Sequence, residues 1–218
     1  MPVNVQNYKE VINELGTHVT LVAVSKTKPI EEILELYSLG HRDFGENYVQ
    51  ELVEKAELLP KDIRWHFIGH LQSNKVKNIA AFIHLIHGVD SLKLLTEINK
   101  QGKKNNRVIN CLLQVHIAQE EAKFGLNEEE LLQLLNGSIS QLRNIKICGL
   151  MGMASLTDNM DKVRYEFHFL KLLFTKLMTH DSQLTTLSMG MSGDYKIAIE
   201  EGSTMVRIGS LIFGERNQ

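Results

Sequence analysis

The residue with the clearest chemical potential is Lys26, which ends an apolar run in LVAVSKTKP, residues 21–29. A lysine ammonium is costly to remove from water unless it is paired or loses its proton. Side chains alternate along a strand, so Val22, Val24 and Lys26 are expected on one side, continuing an interior row. Partial burial favours the neutral amine, which condenses with aldehydes to form an imine. The simpler alternative is a solvated lysine just beyond a strand.

A segment rich in glycine and serine predicts a phosphate site. Gly190, Ser192 and Gly193 precede a helix predicted over 194–201, and a second glycine turn follows at Gly209 in RIGS. Backbone N–H groups and a serine hydroxyl in such a turn stabilise an anion. The alternative is that Ser192 only caps the helix and the glycines only turn the chain.

Arg207 interrupts the last apolar run, in MVRIG at residues 205–209. It is expected either to pair with an acid at the rim or to donate hydrogen bonds to a bound ligand. Because an arginine keeps its proton, a ring nitrogen that faces it stays unprotonated. If that ring is a pyridine, its capacity as an electron sink is reduced.

The other nucleophilic and metal-binding residue types show no diagnostic spacing. The nine histidines form no HxH or HExxH arrangement with a third ligand, so no metal site is predicted. Cys111 and Cys148 lie in apolar stretches without CxxC spacing and are interpreted as reduced core residues. Core or pocket lining is predicted for the methionines Met151, Met153, Met189 and Met191.

Short apolar runs alternate with helical segments along the chain, a pattern typical of buried parallel strands joined by helical crossovers. Strands are predicted over 20–25, 43–45, 64–68, 83–88, 108–117, 146–151, 184–189 and 205–208. These units predict an α/β fold, a (β/α)8 TIM barrel, with an extra helix around Val5 to Leu15 before the first strand. The competing architecture is an open doubly wound sheet, but the glycine fingerprint of its dinucleotide-binding version is missing after the first strand.

A barrel would bring the candidate residues together, because its active face is built from the loops that follow the strands. Lys26 follows the first predicted strand. The serine and glycine turn around Ser192 follows the seventh, and Gly209 follows the eighth. Phosphate is often held after strands seven and eight of such barrels, so this placement strengthens the prediction of a phosphate site.

The composition limits the classes of partner. The 218 residues are 43% apolar and 23% charged with a net charge of −2, so the chain lacks the basic surface that nucleic acid or an acidic membrane would need. A phosphate-bearing ligand is therefore expected to be small. The N-terminus shows no leader pattern and no stretch approaches a membrane span, which predicts a cytoplasmic protein. Residues 1–218 are predicted to form one domain, and a monomer, because no linker and no long exposed apolar stripe is present.

Five segments together carry a family resemblance. They are LVAVSKTKP, FGENYVQE, WHFIGHLQSNK, GLMGMA and LSMGMSGDYKIAIEEGSTMVRIGSLIFGER. In order and spacing they strongly resemble the pyridoxal phosphate homeostasis proteins, the single-domain relatives of the alanine racemase N-terminal barrel. The match runs from Leu21 to Arg216, and the set is far more specific than any one segment.

The resemblance implies a cofactor, its site and a role. The family lysine that forms the internal aldimine with pyridoxal 5'-phosphate falls on Lys26, and the arginine that faces the pyridine nitrogen falls on Arg207. The positions that bind the phosphate or line the pocket fall on Ser192, Gly193, Gly209, Ser210, Asn47 and Met151. The family is thought to bind and distribute the vitamin B6 cofactor, which makes PLP-dependent apoenzymes possible partners.

The resemblance leaves carrier and catalyst to be weighed. Racemisation needs two bases on opposite faces of the imine, and Lys26 supplies one. In the racemases the opposing tyrosine belongs to a second domain, whereas this chain ends at Gln218, and the possible substitutes Tyr48, Tyr165 and Tyr195 lie in helical stretches. With Arg207 facing the pyridine nitrogen, a carbanion would be poorly stabilised. We therefore favour a carrier without robust catalysis over a racemase, a lyase or a class I aldolase-like enzyme.

Overall fold

The computed structural model describes residues 3–118, 124–179 and 184–214. Within these residues eight parallel strands pair in sequence order and β8 pairs with β1, so the sheet closes into a barrel. The strands are β1 (Thr20–Val24), β2 (Asp43–Glu46), β3 (Arg64–Phe67), β4 (Leu85–Val89), β5 (Ile109–Val115), β6 (Ile145–Gly152), β7 (Thr186–Ser188) and β8 (Met205–Ile208). The (β/α)8 barrel predicted from the alternating pattern is confirmed, and the open sheet is excluded.

Helices separate the strands and cover the outside of the barrel. They are α1 (Val5–Leu15), α2 (Ile30–Ser38), α3 (Val49–Leu58), α4 (Val76–Ile79), α5 (Leu92–Lys104), α6 (Glu128–Asn136), α7 (Met160–Met178), α8 (Tyr195–Glu200) and α9 (Ser210–Phe213). Polar side chains start several of them, since Asn4 caps α1 and Asn127 forms a capping box with Glu130 at α6. The predicted N-terminal helix is confirmed. No helix among the described residues is both long and apolar enough to cross a membrane.

Some boundaries differ from the predicted ones for local reasons. β1 ends at Val24, although the N–H of Ser25 still donates to the carbonyl of Gly45 at 3.0 Å before the chain turns. Ile83 lies outside β4, because its N–H bonds to the carbonyl of Ile79 at the end of α4. Differences of one or two residues at element ends are common.

Apolar side chains pack in two places. The larger cluster lies between the strands and the helices and includes fully buried phenylalanines such as Phe44, Phe67 and Phe167. The smaller cluster consists of Val22, Leu85, Leu112, Met151 and Met205. Side chains alternate along each strand, so this smaller set fills the barrel interior.

Helix α1 ties down the two short helices that follow β7 and β8. The N–H of Asn4 donates to the carbonyl of Ile212 at 2.8 Å, at the α9 end. On the α8 side, the hydroxyl of Tyr195 donates to Glu14 at 2.6 Å and Lys196 pairs with the same carboxylate at 2.9 Å. The N-terminal helix therefore supports the segments that carry the predicted phosphate site.

Candidate functional site

A cavity of about 290 Å³ opens among the loops that follow β1, β2, β3, β6, β7 and β8. It lies at the carboxyl ends of the strands, which is the functional end of this fold. Its lining residues are Val24, Lys26, Lys28, Asn47, Ile68, Met153, Met191, Ser192, Gly193, Arg207, Gly209, Ser210 and Gly214.

The cavity brings most of the predicted site residues together. Those that line it are Lys26, Asn47, Ser192, Gly193, Arg207, Gly209 and Ser210. Met151 differs, because it is almost fully buried in the cluster inside the barrel, and Met153 lines the cavity instead. β6 continues to Gly152, so the side chain of Met151 still belongs to the closed barrel.

The turn that carries Lys26 is strained and braced. Thr27 has a φ of 63°, a left-handed conformation that is unusual for a β-branched residue. Such a residue costs about 1–3 kcal/mol and persists only when its surroundings hold it. The N–H of Lys28 donates to the carbonyl of Ser25 at 3.0 Å, and the N–H of Thr27 donates to Glu51 at 2.6 Å. These bonds hold half-buried Lys26 at the cavity.

A buried ion network lies beneath this turn. The ammonium of Lys55 contacts Glu46 at 2.8 Å, Glu51 at 2.6 Å and the carbonyl of Ser25 at 2.7 Å. The hydroxyl of Ser25 donates to Glu46 at 2.6 Å. Burial raises the pKa of the Glu46 carboxyl, and the neighbouring Lys55 charge opposes that rise. The lysine turn therefore rests on residues from β2 and α3 whose role the sequence reasoning missed.

The loops after β7 and β8 are joined at the predicted phosphate site. The N–H of Gly209 donates to the hydroxyl of Ser192 at 3.3 Å, so this serine links the two loops. The N-cap residue of α8 is Asp194, which makes no side-chain cap bond to that helix. Its carboxylate accepts from the N–H of Met191 at 2.5 Å and so closes the turn instead. A methyl group added at Gly193 would meet no atom within 4 Å.

Arg207 enters the cavity from inside the barrel and is only 4% exposed. Its Nη1 donates to the hydroxyl of Ser188 at 2.6 Å, and its Nη2 donates to the carbonyl of Gly152 at 3.0 Å. Burial lowers the pKa of Arg207 to about 10, and the Asp194 carboxylate partly offsets this effect. The guanidinium remains cationic at neutral pH and is anchored by a hydroxyl and a carbonyl.

Polar side chains continue below Arg207 through the barrel interior. The hydroxyl of Ser188 lies 3.2 Å from Nδ1 of His87, and Nε2 of His87 lies 2.9 Å from Nδ1 of His66. Nε2 of His66 lies 3.1 Å from the carboxylate of Asp43. No local spacing in the sequence marks this contact between the two histidines.

One cluster resembles a cation site but is already neutralised. Asp43, His66 and His84 present possible ligand atoms within 4.8 Å of one another. The guanidinium of Arg64 pairs with both oxygens of the Asp43 carboxylate, through Nε at 2.7 Å and through Nη2. Burial disfavours the charge on Asp43, but hydrogen bonds from Arg64 and His66 outweigh it and hold the pKa of this carboxyl well below its usual range. The cluster is therefore an ion-paired network.

Comparisons with known proteins agree with this fold. The family model described as alanine racemase, N-terminal domain, matches residues 4–217. A pyridoxal phosphate homeostasis protein of Aquifex aeolicus (strain VF5) is 44% identical over 198 residues, which cover 90% of this chain and 86% of that protein. A protein of the same name from Synechocystis sp. is 42% identical over 212 residues, covering 96% of this chain and 97% of that one.

Solved structures show the same architecture. PipY of Synechococcus elongatus PCC7942, in its structure with PLP bound, superposes with a TM-score of 0.87 at 34% identity, covering 96% of this chain and 99% of that chain. An alanine racemase of Clostridium difficile 630 superposes with a TM-score of 0.81 at 14% identity, covering 100% of this chain and 60% of the racemase. The racemase likeness concerns the fold alone.

The closed barrel and its cavity define the class of protein as a barrel of the alanine racemase N-terminal domain type. Within that class, the chain belongs to the pyridoxal phosphate homeostasis protein family. The resemblance seen in the five sequence segments is thereby confirmed. Arg216, the last residue of that resemblance, lies outside the described residues, and so does Lys123, an alternative lysine for imine formation.

Proposed function

We propose that residues 1–218 form one domain that binds pyridoxal 5'-phosphate (PLP) in this cavity and serves vitamin B6 homeostasis as a carrier or regulator. The observation that carries the proposal is one cavity lined by an amine, by the joined turns after β7 and β8, and by a buried guanidinium. Relatives named for PLP homeostasis and the PLP-bound neighbour PipY support it.

Each group of the cofactor has a matching group on this cavity. The ε-amine of Lys26 suits the aldehyde, and the Arg207 guanidinium suits the pyridine nitrogen as a hydrogen-bond donor. The serine hydroxyl and backbone N–H groups around the joined turns suit the phosphate. The residues proposed to hold it are Ser192, Gly193, Gly209 and Ser210.

Asn47 offers an independent test of fit. Its Oδ1 is buried and has no hydrogen-bond partner among the described residues. A buried acceptor left unsatisfied costs about 1–3 kcal/mol. A ligand in the cavity can supply the missing donor, so Asn47 is proposed to line the cofactor site beside Lys26 and Arg207.

The residues around the cavity favour binding of the cofactor over catalysis of a reaction with it. PLP supplies an electrophilic carbonyl and a ring that withdraws electrons strongly when its nitrogen is protonated. Arg207 remains cationic, so it would leave that nitrogen unprotonated. Among the described residues, Tyr48 and Tyr165 are 57% and 69% exposed and lie outside the cavity lining. The hydroxyl of Tyr195 is engaged with Glu14 at 2.6 Å.

We further propose a cytoplasmic monomer that passes PLP to PLP-dependent apoenzymes, with neither nucleic acid nor membrane as a partner. The net charge of −2 supports the exclusion of polyanionic partners. Sedimentation of the PLP-loaded protein tests the monomer. Activation of a PLP-free apoenzyme by the loaded protein, compared with the same amount of free PLP, tests the transfer.

Borohydride reduction followed by peptide mapping tests the covalent assignment. Reduction of the carbon–nitrogen double bond leaves a stable pyridoxyl group on the lysine that carried it. We expect the label on the peptide that contains Lys26 and its loss in Lys26→Ala. A label on Lys28 or Lys123 in the unsubstituted protein would overturn the assignment.

Two further measurements separate the alternative functions. A racemase or lyase would exchange the α-hydrogen of an added amino acid for deuterium, and we expect no exchange above that of free PLP across a broad panel. A class I aldolase-like enzyme would use its lysine on a substrate carbonyl and purify colourless. We expect the protein loaded with PLP to be yellow.

A further inference from the structure

A continuous chain of hydrogen bonds runs through the barrel interior from Arg207 through Ser188, His87 and His66 to Asp43. We propose that Ser188, His87 and His66 are positioning residues, whose fixed arrangement of protons holds the Arg207 guanidinium against the pyridine nitrogen of bound PLP. This inference rests on the proposed function, because it concerns the group that meets the cofactor ring.

Every hydrogen bond in this series is short, and the side chains of Ser188, His87 and His66 are almost completely buried. The successive donor–acceptor distances from Arg207 to Asp43 are 2.6, 3.2, 2.9 and 3.1 Å. Ser188 and His87 are fully buried, and His66 is 1% exposed. In such surroundings water cannot replace a lost partner, so a broken link leaves buried polar atoms unsatisfied.

The two ends fix the direction of the hydrogen bonds. A guanidinium can only donate, so the Ser188 oxygen accepts from Arg207. The Asp43 carboxylate, paired with Arg64, can only accept, so Nε2 of His66 carries a proton and donates to it.

One arrangement of protons satisfies all the interior links with both histidines neutral. The Ser188 hydroxyl donates to Nδ1 of His87, Nε2–H of His87 donates to Nδ1 of His66, and Nε2–H of His66 donates to Asp43. Burial lowers the pKa of His87 well below its usual value, and the Arg207 charge lowers it further, which agrees with a neutral ring.

Reversing the direction of the hydrogen bonds between Ser188, His87 and His66 is costly. If Nδ1 of His87 donated to Ser188, then His66 would have to donate from both ring nitrogens and carry a positive charge. That charge would be buried beside Asp43, whose carboxylate Arg64 already neutralises. The Ser188 hydroxyl proton would also need another acceptor. The neutral arrangement avoids both penalties.

The consequence for the cofactor site is a fixed guanidinium plane. With its proton turned towards His87, Ser188 presents a lone pair to Nη1 of Arg207, while the carbonyl of Gly152 accepts from Nη2. Two anchors on different nitrogens set both the position and the tilt of a planar group. Loss of the Ser188 link leaves the charge in place but frees the plane to rotate.

Ser188→Ala breaks the chain, and Ser188→Thr keeps the hydroxyl. Ser203→Ala is the matched control, because this buried serine bonds the carbonyls of Leu187, Met189 and Met205 and lies outside the cavity lining. We expect Ser188→Ala to weaken PLP binding about tenfold and to shift the absorption maximum of bound PLP. Ser188→Thr and Ser203→Ala should stay within about twofold of the unsubstituted protein with an unshifted maximum.

A second measurement needs no cofactor. Side-chain nitrogen NMR of the PLP-free protein reports which ring nitrogen of each histidine carries the proton. We expect Nε2–H tautomers for both His66 and His87, and a protonated Nδ1 on His87 would overturn the inference.

The outcomes separate this inference from the proposed function. Unchanged affinity and absorption in Ser188→Ala, with PLP still bound by the unsubstituted protein, would overturn the inference alone. If Ser188 had a purely structural role, Ser188→Ala and Ser203→Ala would both have lower unfolding midpoints without a shift in the absorption of bound PLP. That result would also overturn the inference. Failure of the unsubstituted protein to bind PLP would overturn the proposed function and the inference together.

Discussion

The backbone N–H of Thr27 donates a hydrogen bond of 2.6 Å to the carboxylate of Glu51, which lies 24 residues further along the chain. The bond connects the strained residue after Lys26 to helix α3. The same carboxylate oxygen accepts from Lys55, which also contacts buried Glu46. The geometry of the lysine turn is thus set by side chains that never touch the cavity.

Replacing Thr27 by glycine should relieve the strain of this turn. Thr27 has a φ of 63°, and glycine adopts this conformation without a steric penalty. We expect Thr27→Gly to raise the free energy of unfolding by about 1 kcal/mol, since the strain relieved exceeds the added freedom of the unfolded chain. Urea unfolding followed by circular dichroism measures the change.

The control is Asn106, the other described non-glycine residue with positive φ, at 53°. Asparagine tolerates this conformation better than threonine, so Asn106→Gly should change stability less. A gain at Asn106 that equals or exceeds the gain at Thr27 would show that strain at the lysine turn is not the cause.

Removing the ammonium of Lys55 should be strongly destabilising. The Glu46 side chain is fully buried, and its contact with Lys55 measures 2.8 Å. Deleting one partner of a buried pair costs about 3–5 kcal/mol, so we expect a loss of this size for Lys55→Ala. Lys61→Ala, which removes an exposed lysine that donates to the backbone carbonyls of Ala56 and Glu57, should stay within about 0.5 kcal/mol. Equal losses in the two variants would contradict the prediction.

The loss in Lys55→Ala should also depend on pH. Burial raises the folded-state pKa of Glu46, so the folded state binds this proton more tightly and stability falls as pH rises from the unfolded-state pKa towards the folded one. Lys55 opposes that rise, and its removal moves the folded pKa higher still. We therefore expect the stability deficit of the variant to be larger at about pH 8 than at about pH 5. A deficit that is the same at both values would argue against a buried, unpaired Glu46.

Substitution of Ser192 should affect the phosphate of the ligand and little else. The hydroxyl of Ser192 links the loops after β7 and β8 through Gly209. We expect Ser192→Ala to weaken PLP binding about tenfold, because a hydrogen bond to a charged group is lost. Binding of pyridoxal, which lacks the phosphate, should not change in a fluorescence titration. Equal weakening of both ligands would place Ser192 away from the phosphate.

Two glycines of the same loop should respond differently to alanine. Gly190 has a φ of +97°, and an added Cβ would lie 2.6 Å from the Cβ of Ala198. We expect Gly190→Ala to lower the free energy of unfolding by about 2 kcal/mol or more. Gly193→Ala should stay within about 0.5 kcal/mol, because its Cβ would meet nothing within 4 Å. Thermal unfolding of the pair side by side tests the contrast.

Much of the barrel could be predicted because parallel strands buried on both faces are encoded locally, as short apolar runs between amphipathic helices. Lys26 and Arg207 stand out for a similar reason, since a charged residue in or beside such a run needs an explanation. Period-two alternation also placed Val22 in the barrel interior and Val24 at the cavity with Lys26. These inferences use only neighbours along the chain.

Other parts of the site could not be predicted in this way. His66 and His87 lie 21 residues apart, and nothing near either one indicates a shared hydrogen bond. Lys55 looks like an ordinary helix lysine until α3 packs it against β2. Met153 lines the cavity, whereas Met151 does not, because β6 continues to Gly152. Apolar patterns in a sequence locate the ends of strands poorly, so this difference could not be predicted.

The sequence by itself determined the barrel and the reactive groups that follow its strands, because residue type and periodicity are properties of the chain. The tertiary structure decided which of those groups meet, including the contacts of Ser188 with Arg207 and His87. Hydrogen bonds act only over about 3 Å. Partners from β3, β4, β7 and β8 come within that distance only when the strands close into a barrel.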